Sequence, residues 1–310
     1  MTRAGFTAII GAPNAGKSTL TNRLVGAKVS IVTQKVQTTR FPVRGVCMAG
    51  DAQIVLVDTP GIFQPRRKLD RAMVRAAWGG AEDADAVVHL VDAAAEIAVA
   101  EPGAKPADKR AAIDVESIVE GLKTASRKAI LALNKVDSVK RENLLELSQR
   151  LFDTGVYSEV FMVSATTGSG VEDLKTRLAE LMPEGPWFYP EDQTADLPAR
   201  LLAAEITREK LYLRVHEELP YSAAVETTKF EERKDGGVRI EQTIYVERES
   251  QRPIILGKGG QTLKWIGQKS REELNVILDR PVHLFLHVQV DERWADKREF
   301  YGDVGLDFDV

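Results

Sequence analysis

Several short stretches of this chain hold reactive or ligating residue types at fixed spacing. The first, "GAPNAGKS", runs from Gly11 to Ser18 and fits G-x-x-x-x-G-K-[ST] without a mismatch. It follows an apolar run that reads as a strand and opens a segment that reads as a helix. In that setting the backbone from Gly11 through Ala12, Pro13, Asn14, Ala15 and Gly16 to Thr19 wraps nucleotide phosphates. Lys17 is expected to reach the β- and γ-phosphates, and Ser18 to ligate Mg²⁺. A second stretch, "DTPG" (58–61), ends an apolar strand. Asp58 would hold the metal, through water, and the Gly61 N–H would sense the γ-phosphate. Upstream lies "QTTR" (37–40), where Thr39 is preferred over Thr38 to complete the Mg²⁺ shell. Lys17, Thr39 and Gly61 are therefore the expected catalytic groups.

A third stretch, "NKVD" (134–137), selects the base. An Asp137 carboxylate accepts from guanine N1–H and N2–H₂, whereas adenine has no N1–H and would leave it unpaired. Asn134 serves the N7/O6 edge or braces the phosphate loop, and the Lys135 stem covers the base. "SAT" (164–166), with Ser164 and Ala165, offers the Ala165 backbone N–H to guanine O6. These motifs in this order describe a GTP/GDP site with Mg²⁺ and GTP hydrolysis as the reaction. Ile62 follows "DTPG", where a water-orienting glutamine would otherwise stand, so catalysis relies on another group.

A second glycine–lysine loop, "GKGG" (257–260), lies within "LGKGGQTLKWIG". It joins two helical segments, follows no strand, and lacks Walker spacing, so it is no second nucleotide site. Helix–G-x-x-G–helix inside an α-β-β-α-α-β block matches a type II KH domain, in which the glycines let the loop approach a nucleic-acid backbone. Gly257, Lys258, Gly259 and Gly260, with Arg252 and Lys264, are the expected RNA-binding residues. Residues 251–271 hold five basic residues and no acid, inside a segment (199–310) with 18 basic and 21 acidic residues. Ile254, Ile255, Leu256 and Ile266 read as groove floor or core, and Trp265 as stacking platform or core aromatic.

Positioning these groups takes two architectures. Residues 1–182 alternate strands and helices in a doubly wound α/β pattern. The runs 85–93 and 128–137 are apolar enough for strands buried on both faces. Residues 94–111, rich in alanine, proline and charge, read as an exposed, mobile loop. Residues 183–198, with Pro183, Pro186, Pro190 and Pro198, read as a linker whose Trp187, Phe188 and Tyr189 pack along a surface. Residues 199–310 form the second, α+β domain, opening with a helix over 199–219. The chain has 310 residues, a net charge of −4 and one cysteine, Cys47. That excludes an internal disulfide, points to a reducing cytoplasm, and confines any polyanion binding to a local patch. No apolar run is long enough for a transmembrane helix.

Across essentially its whole length the chain resembles the bacterial Era GTPases. "GAPNAGKSTLTNRLVG", "QTTR", "DTPG", "NKVD" and "SAT" resemble their G domain. "YPEDQTAD", "AAEITREKLYLRVHEELPYS" and "GKGGQTLKWIG" resemble their linker and KH domain. The resemblance implies binding to the 3′ end of 16S ribosomal RNA, assistance to 30S subunit assembly, and peripheral association with the inner membrane. It also implies that Asn14, with switch-I carbonyls, holds K⁺ against the phosphates. Nothing in the sequence demands a dimer, so a monomer is expected. The alternative is a GTPase whose KH-like domain docks protein or membrane partners instead of RNA.

Overall fold

A computed structural model describes residues 1–215 and 219–310. It divides into two compact units, Met1–Asp196 with Gly305–Val310, and Leu197–Val304.

The first unit is a seven-stranded sheet covered on both faces. Its strands are β1 (Arg3–Ile10), β2 (Val43–Ala49), β3 (Ala52–Asp58), β4 (Ala86–Asp92), β5 (Ala129–Asn134), β6 (Tyr157–Met162) and β7 (Ala195–Asp196). They lie in the order β6-β5-β4-β1-β3-β2-β7, parallel except where β2 runs against β3 and β7. The helices are α1 (Lys17–Val25), α2 (Lys68–Asp83), α3 (Ala93–Val99), α4 (Pro106–Thr124), α5 (Arg141–Phe152) and α6 (Val171–Leu181). One sheet face packs Ala77, Ile118, Leu122 and Leu147 from α2, α4 and α5; the other packs Leu20, Leu24, Leu174 and Leu178 from α1 and α6. β3 and β5 are buried at every position, the pattern of strands covered on both sides. Strand order reverses beside β1. Ligands of doubly wound sheets sit at the carboxyl ends of the strands at that point, and the Gly11–Ser18 loop leaves β1 there.

Residues 94–111 are helical on either side of a short, largely exposed connection at 100–105, rather than loop throughout. Asp92 caps α3 by accepting from the Ala94 and Ala95 amides, Ala95 and Glu96 are buried, and Pro106 starts α4 at its first turn. The alanines that looked like loop filler are the best helix formers, and proline suits the first helical turn.

The stretch 183–196 belongs with the first unit. The Ala4 amide donates to Pro183 O, the Val46 amide to Thr194 O, and Arg44 and Gly45 pair with Asp196 and Ala195. Fully buried Gln53 holds it with three bonds, accepting from the Phe188 and Tyr189 amides and donating to Tyr189 O.

The second unit runs α7 (Ala199–Arg214), β8 (Ala223–Glu232), β9 (Val238–Val246), α8 (Arg252–Leu256), α9 (Gln261–Ile277), β10 (Val282–Val290) and α10 (Arg298–Asp303). Its sheet order is β10-β9-β8, with β9 antiparallel to β8 and parallel to β10. Leu211, Ile244, Val246, Ile255 and Ile266 form its own core. The continuation of the first helix over 216–218 lies outside the described residues. Among the described residues no helix is long and apolar enough to cross a membrane.

Candidate nucleotide site and candidate nucleic-acid loop

The phosphate loop is shaped by backbone that few residues adopt. Gly16 has φ 100°, and a Cβ there would stand 2.3 Å from Asn134 Nδ2, so a side chain is excluded at that position. Asn14, exposed, adopts φ 63°. Ala12, Pro13, Ala15 and Thr19 complete the turn into α1. Lys17 is buried, and its amine donates to Gly11 O at 3.0 Å and Ala12 O at 2.9 Å. Burial pushes its pKa down to about 8, against the charges of Asp58 and Asp114. Phosphate oxygens arriving at this loop would take over the amine and favour its charged form.

Ser18, Thr39 and Asp58 converge although they are far apart in sequence. Ser18 Oγ donates to Asp58 Oδ2 at 2.7 Å and lies 2.8 Å from Thr39 Oγ1, which itself stands 3.4 Å from Asp58 Oδ2. Asp58 is fully buried, burial raises its pKa, and its Oδ1 has no hydrogen-bond partner among the described residues. An orphaned buried carboxylate oxygen beside two hydroxyls is an all-oxygen donor set, which suits Mg²⁺ and its waters. Thr38 instead pairs with Thr33 Oγ1 at 2.6 Å and Lys35 O at 2.7 Å, turned away from this cluster.

Gly61 packs against the phosphate loop, and a Cβ there would lie 3.0 Å from Pro13 N. Ile62 is buried and its amide donates to Gly11 O at 3.1 Å, so its side chain cannot orient a water at the γ-phosphate.

The base side is a brace between loops. Asn134 donates to Ala15 O at 2.7 Å and accepts from the Ala165 amide at 3.0 Å. Of the two roles open to Asn134, the brace is the one formed here. The Ala165 N–H expected for guanine O6 is instead donated to Asn134 Oδ1 in this structure. Lys135 donates to Asn14 O at 3.1 Å and to Asp92 Oδ2. Asp137 is exposed in the middle of the Val136–Ser138 turn, and Ser164 is fully buried, its Oγ accepting from the Thr167 amide.

Two residues with supporting roles escaped the sequence reading. Asp92 both caps α3 and anchors Lys135; Arg23 on α1 donates to Ala165 O and Thr166 O, holding the base loop. Asp92 had a signal, a carboxylate ending β4 at the same edge as Asp58 and Asn134 end β3 and β5. Arg23 had none.

In the second unit, Gly257–Gly260 joins α8 to α9. Gly257 (φ 73°) has no room for a Cβ, which would meet Thr262 Oγ1 at 2.3 Å, whereas Gly259 and Gly260 face open space. Arg252, Lys258 and Lys264 are exposed around the loop. The α9 N-terminus has no side-chain cap, which leaves amide donors for phosphate. Ile255 and Ile266 are core, Ile254 is exposed, and Trp265 packs partly on the core with Arg214 over its ring.

Comparison with known proteins covers both units. The profile of a "50S ribosome-binding GTPase" matches residues 6–135, and that of a KH domain matches residues 218–295. GTPase Era of Caulobacter vibrioides is 74% identical over 309 residues, covering 100% of this chain and 98% of that one. GTPase Era of Maricaulis maris is 61% identical over 308 residues, covering 99% and 98%. Two solved structures superpose with a TM-score of 0.87 over 98% of this chain and 99% of theirs. One is a point variant of Aquifex aeolicus Era bound to GDP·AlF4⁻, at 38% identity. The other is Era with MgGDPNP and nucleotides 1506–1542 of 16S ribosomal RNA, at 37%.

Proposed function

The chain belongs to the Era family of GTPases, and we propose that it is a GTP-hydrolysing switch that binds 16S ribosomal RNA near its 3′ end through the Gly257–Gly260 loop and assists 30S subunit assembly. The observation that carries the RNA part is the loop itself. Two unobstructed glycines, an uncapped helix and three exposed basic side chains leave it shaped for a phosphate backbone. The relative solved with nucleotides 1506–1542 spans this whole chain, which favours the small subunit over the large one named in the GTPase profile.

At the nucleotide site, Ser18, Thr39 and Asp58 hold Mg²⁺, which draws charge from the β- and γ-phosphates. Lys17 neutralises the same oxygens, and the Gly61 amide donates to the γ-phosphate. Asp137 and Lys135 hold guanine, with Asn134 and Asp92 fixing their loops. With Ile62 buried, Asn14 would hold a K⁺ that supplies the extra positive charge. Loss of the γ-phosphate releases the segments around Thr39 and Gly61, and this is the switch. The chain acts in the cytoplasm as a monomer, with peripheral attachment to the inner membrane.

Footprinting of a 16S 3′-terminal RNA tests the reading. Wild type with a GTP analogue should protect the RNA more strongly than with GDP. Gly259→Asp, which sets a carboxylate against phosphate in open space, should abolish protection while GTP turnover stays intact. Equal protection by Gly259→Asp would sink the assignment. It would leave the second reading, a protein- or membrane-docking domain, which the acidic excess of residues 199–310 favours.

A further inference from the structure

Shortly after Gly61 the chain carries a basic cluster outside the motifs described above. Arg66, Arg67, Lys68, Arg71 and Arg75 fall within ten residues, at the start of α2 and along its first two turns. Arg67, Arg71 and Arg75 repeat every four residues, so they share one helix face. Arg66, Arg67, Arg71 and Arg75 are exposed or partly so, while Leu69, Ala72, Met73 and Ala77 face inward. The one acid in this stretch, Asp70, is buried. Its Oδ2 accepts the Arg66 and Arg67 amides at 3.0 Å, and its Oδ1 accepts Gln37 Nε2 at 3.1 Å. The charge left facing outward is therefore of one sign, on an element that begins seven residues after Gly61.

The structure also records what this face accepts. The segment Gly305–Val310, "GLDFDV", is part of the first unit. Leu306 is buried, Asp307 Oδ2 stands 3.4 Å from Arg75 Nη1, and the Phe308 ring lies under Lys68 Nζ at 3.0 Å. An acidic strip with an aromatic ring presents the same chemistry as a nucleotide strand, anionic groups alternating with π-faces. Both members of the Arg75–Asp307 pair are about half exposed, so the contact is weak and salt-sensitive.

We propose that the basic face of α2 is a second RNA-backbone contact, on the GTPase unit, and that the acidic segment 305–310 is its intramolecular occupant until RNA displaces it. This rests on the RNA reading above. Arginine is the side chain that holds phosphate bidentately, which suits such a face to a polynucleotide.

The test titrates RNA of sequence 1506–1542 of 16S against the full chain with a GTP analogue, from low to moderate salt. Three variants are compared: Arg66→Gln/Arg71→Gln/Arg75→Gln, Asp307→Asn/Asp309→Asn, and Gly259→Asp. The triple glutamine variant is expected to lose about tenfold in affinity and about 2 in the slope of log affinity against log salt, about 0.7 per phosphate contact. The asparagine variant should bind several-fold tighter at low salt and converge with wild type as salt rises. GDP affinity and RNA-free GTP turnover should be unchanged in both. If Gly259→Asp loses binding but the triple variant keeps wild-type affinity and slope, this proposal falls and the RNA reading stands. If wild type binds no RNA, both fall. Unchanged affinity in the asparagine variant overturns the occupant role of the segment. If the triple variant loses adhesion to phosphatidylglycerol vesicles and no RNA affinity, the face is a lipid contact and the proposal is wrong.

Discussion

At the residue scale, the nucleotide site is a set of side chains already satisfied by one another. Ser18, Thr39 and Asp58 bond among themselves, Lys17 donates to its own loop, and Lys135 is tied to Asp92. Each bond uses the group that a nucleotide or metal would engage, so binding exchanges partners and needs little rearrangement. Asp58 Oδ1 is the exception, and the donor set around it is hard oxygen. Buried Ile62 leaves the developing charge without a side-chain partner from that position. Asn14, exposed on the loop rim with positive φ, is the residue proposed to hold K⁺. At fixed ionic strength, GTP turnover in K⁺ is therefore expected to exceed that in Na⁺ by about tenfold, some 1.4 kcal/mol of barrier. Asn14→Ala should erase the difference, and equal wild-type rates in the two salts would remove potassium from the mechanism.

At the element scale, two segments are instructive. Residues 94–111 looked like loop because alanine, proline and charge carry little hydrophobic period. They fold as nearly all of α3, a short connection at 100–105 and the start of α4, because Asp92 caps α3 and Pro106 opens α4. The proline-rich stretch 183–196 reads as a linker packed along a surface; Gln53 does hold it there, and its last two residues, Ala195–Asp196, go further and pair with Arg44 and Gly45 as an edge strand. Gln53→Ala would strand the Phe188 and Tyr189 amides and Tyr189 O. It is expected to cost about 2 kcal/mol and to open residues 185–195 to limited proteolysis. If the protease pattern is unchanged, the strap is held by its other bonds, to Ala4, Val46 and Asp51 and through the strand pairing. β2 begins three residues after Arg40, so this strap is bonded to the strand that leaves the Thr39 segment.

At the scale of the whole molecule, the two units have separate cores, and the nucleotide residues all lie in the first. Calorimetry is expected to resolve two unfolding transitions, of which GDP with Mg²⁺ raises only one. Nucleotide at about 100 times its Kd adds about 2.7 kcal/mol to that unit. A single transition shifted as a whole would mean the units unfold together. The sequence by itself determined the GTPase motifs, the alternation of strands and helices, and the α-β-β-α-α-β order around Gly257–Gly260. Each of these is a local pattern: a glycine where backbone must turn, a lysine before a helix, an apolar run in a covered strand. The sequence preferred Thr39 to Thr38, and the tertiary structure decided the matter by bringing Thr39 to Ser18 and Asp58. Only the tertiary structure decided that Asp92 and Arg23 serve the base loops, that Ala195–Asp196 joins a sheet, and that 305–310 lies against α2. Those facts depend on pairings between residues tens to hundreds of positions apart, and no local window of residue types carries them.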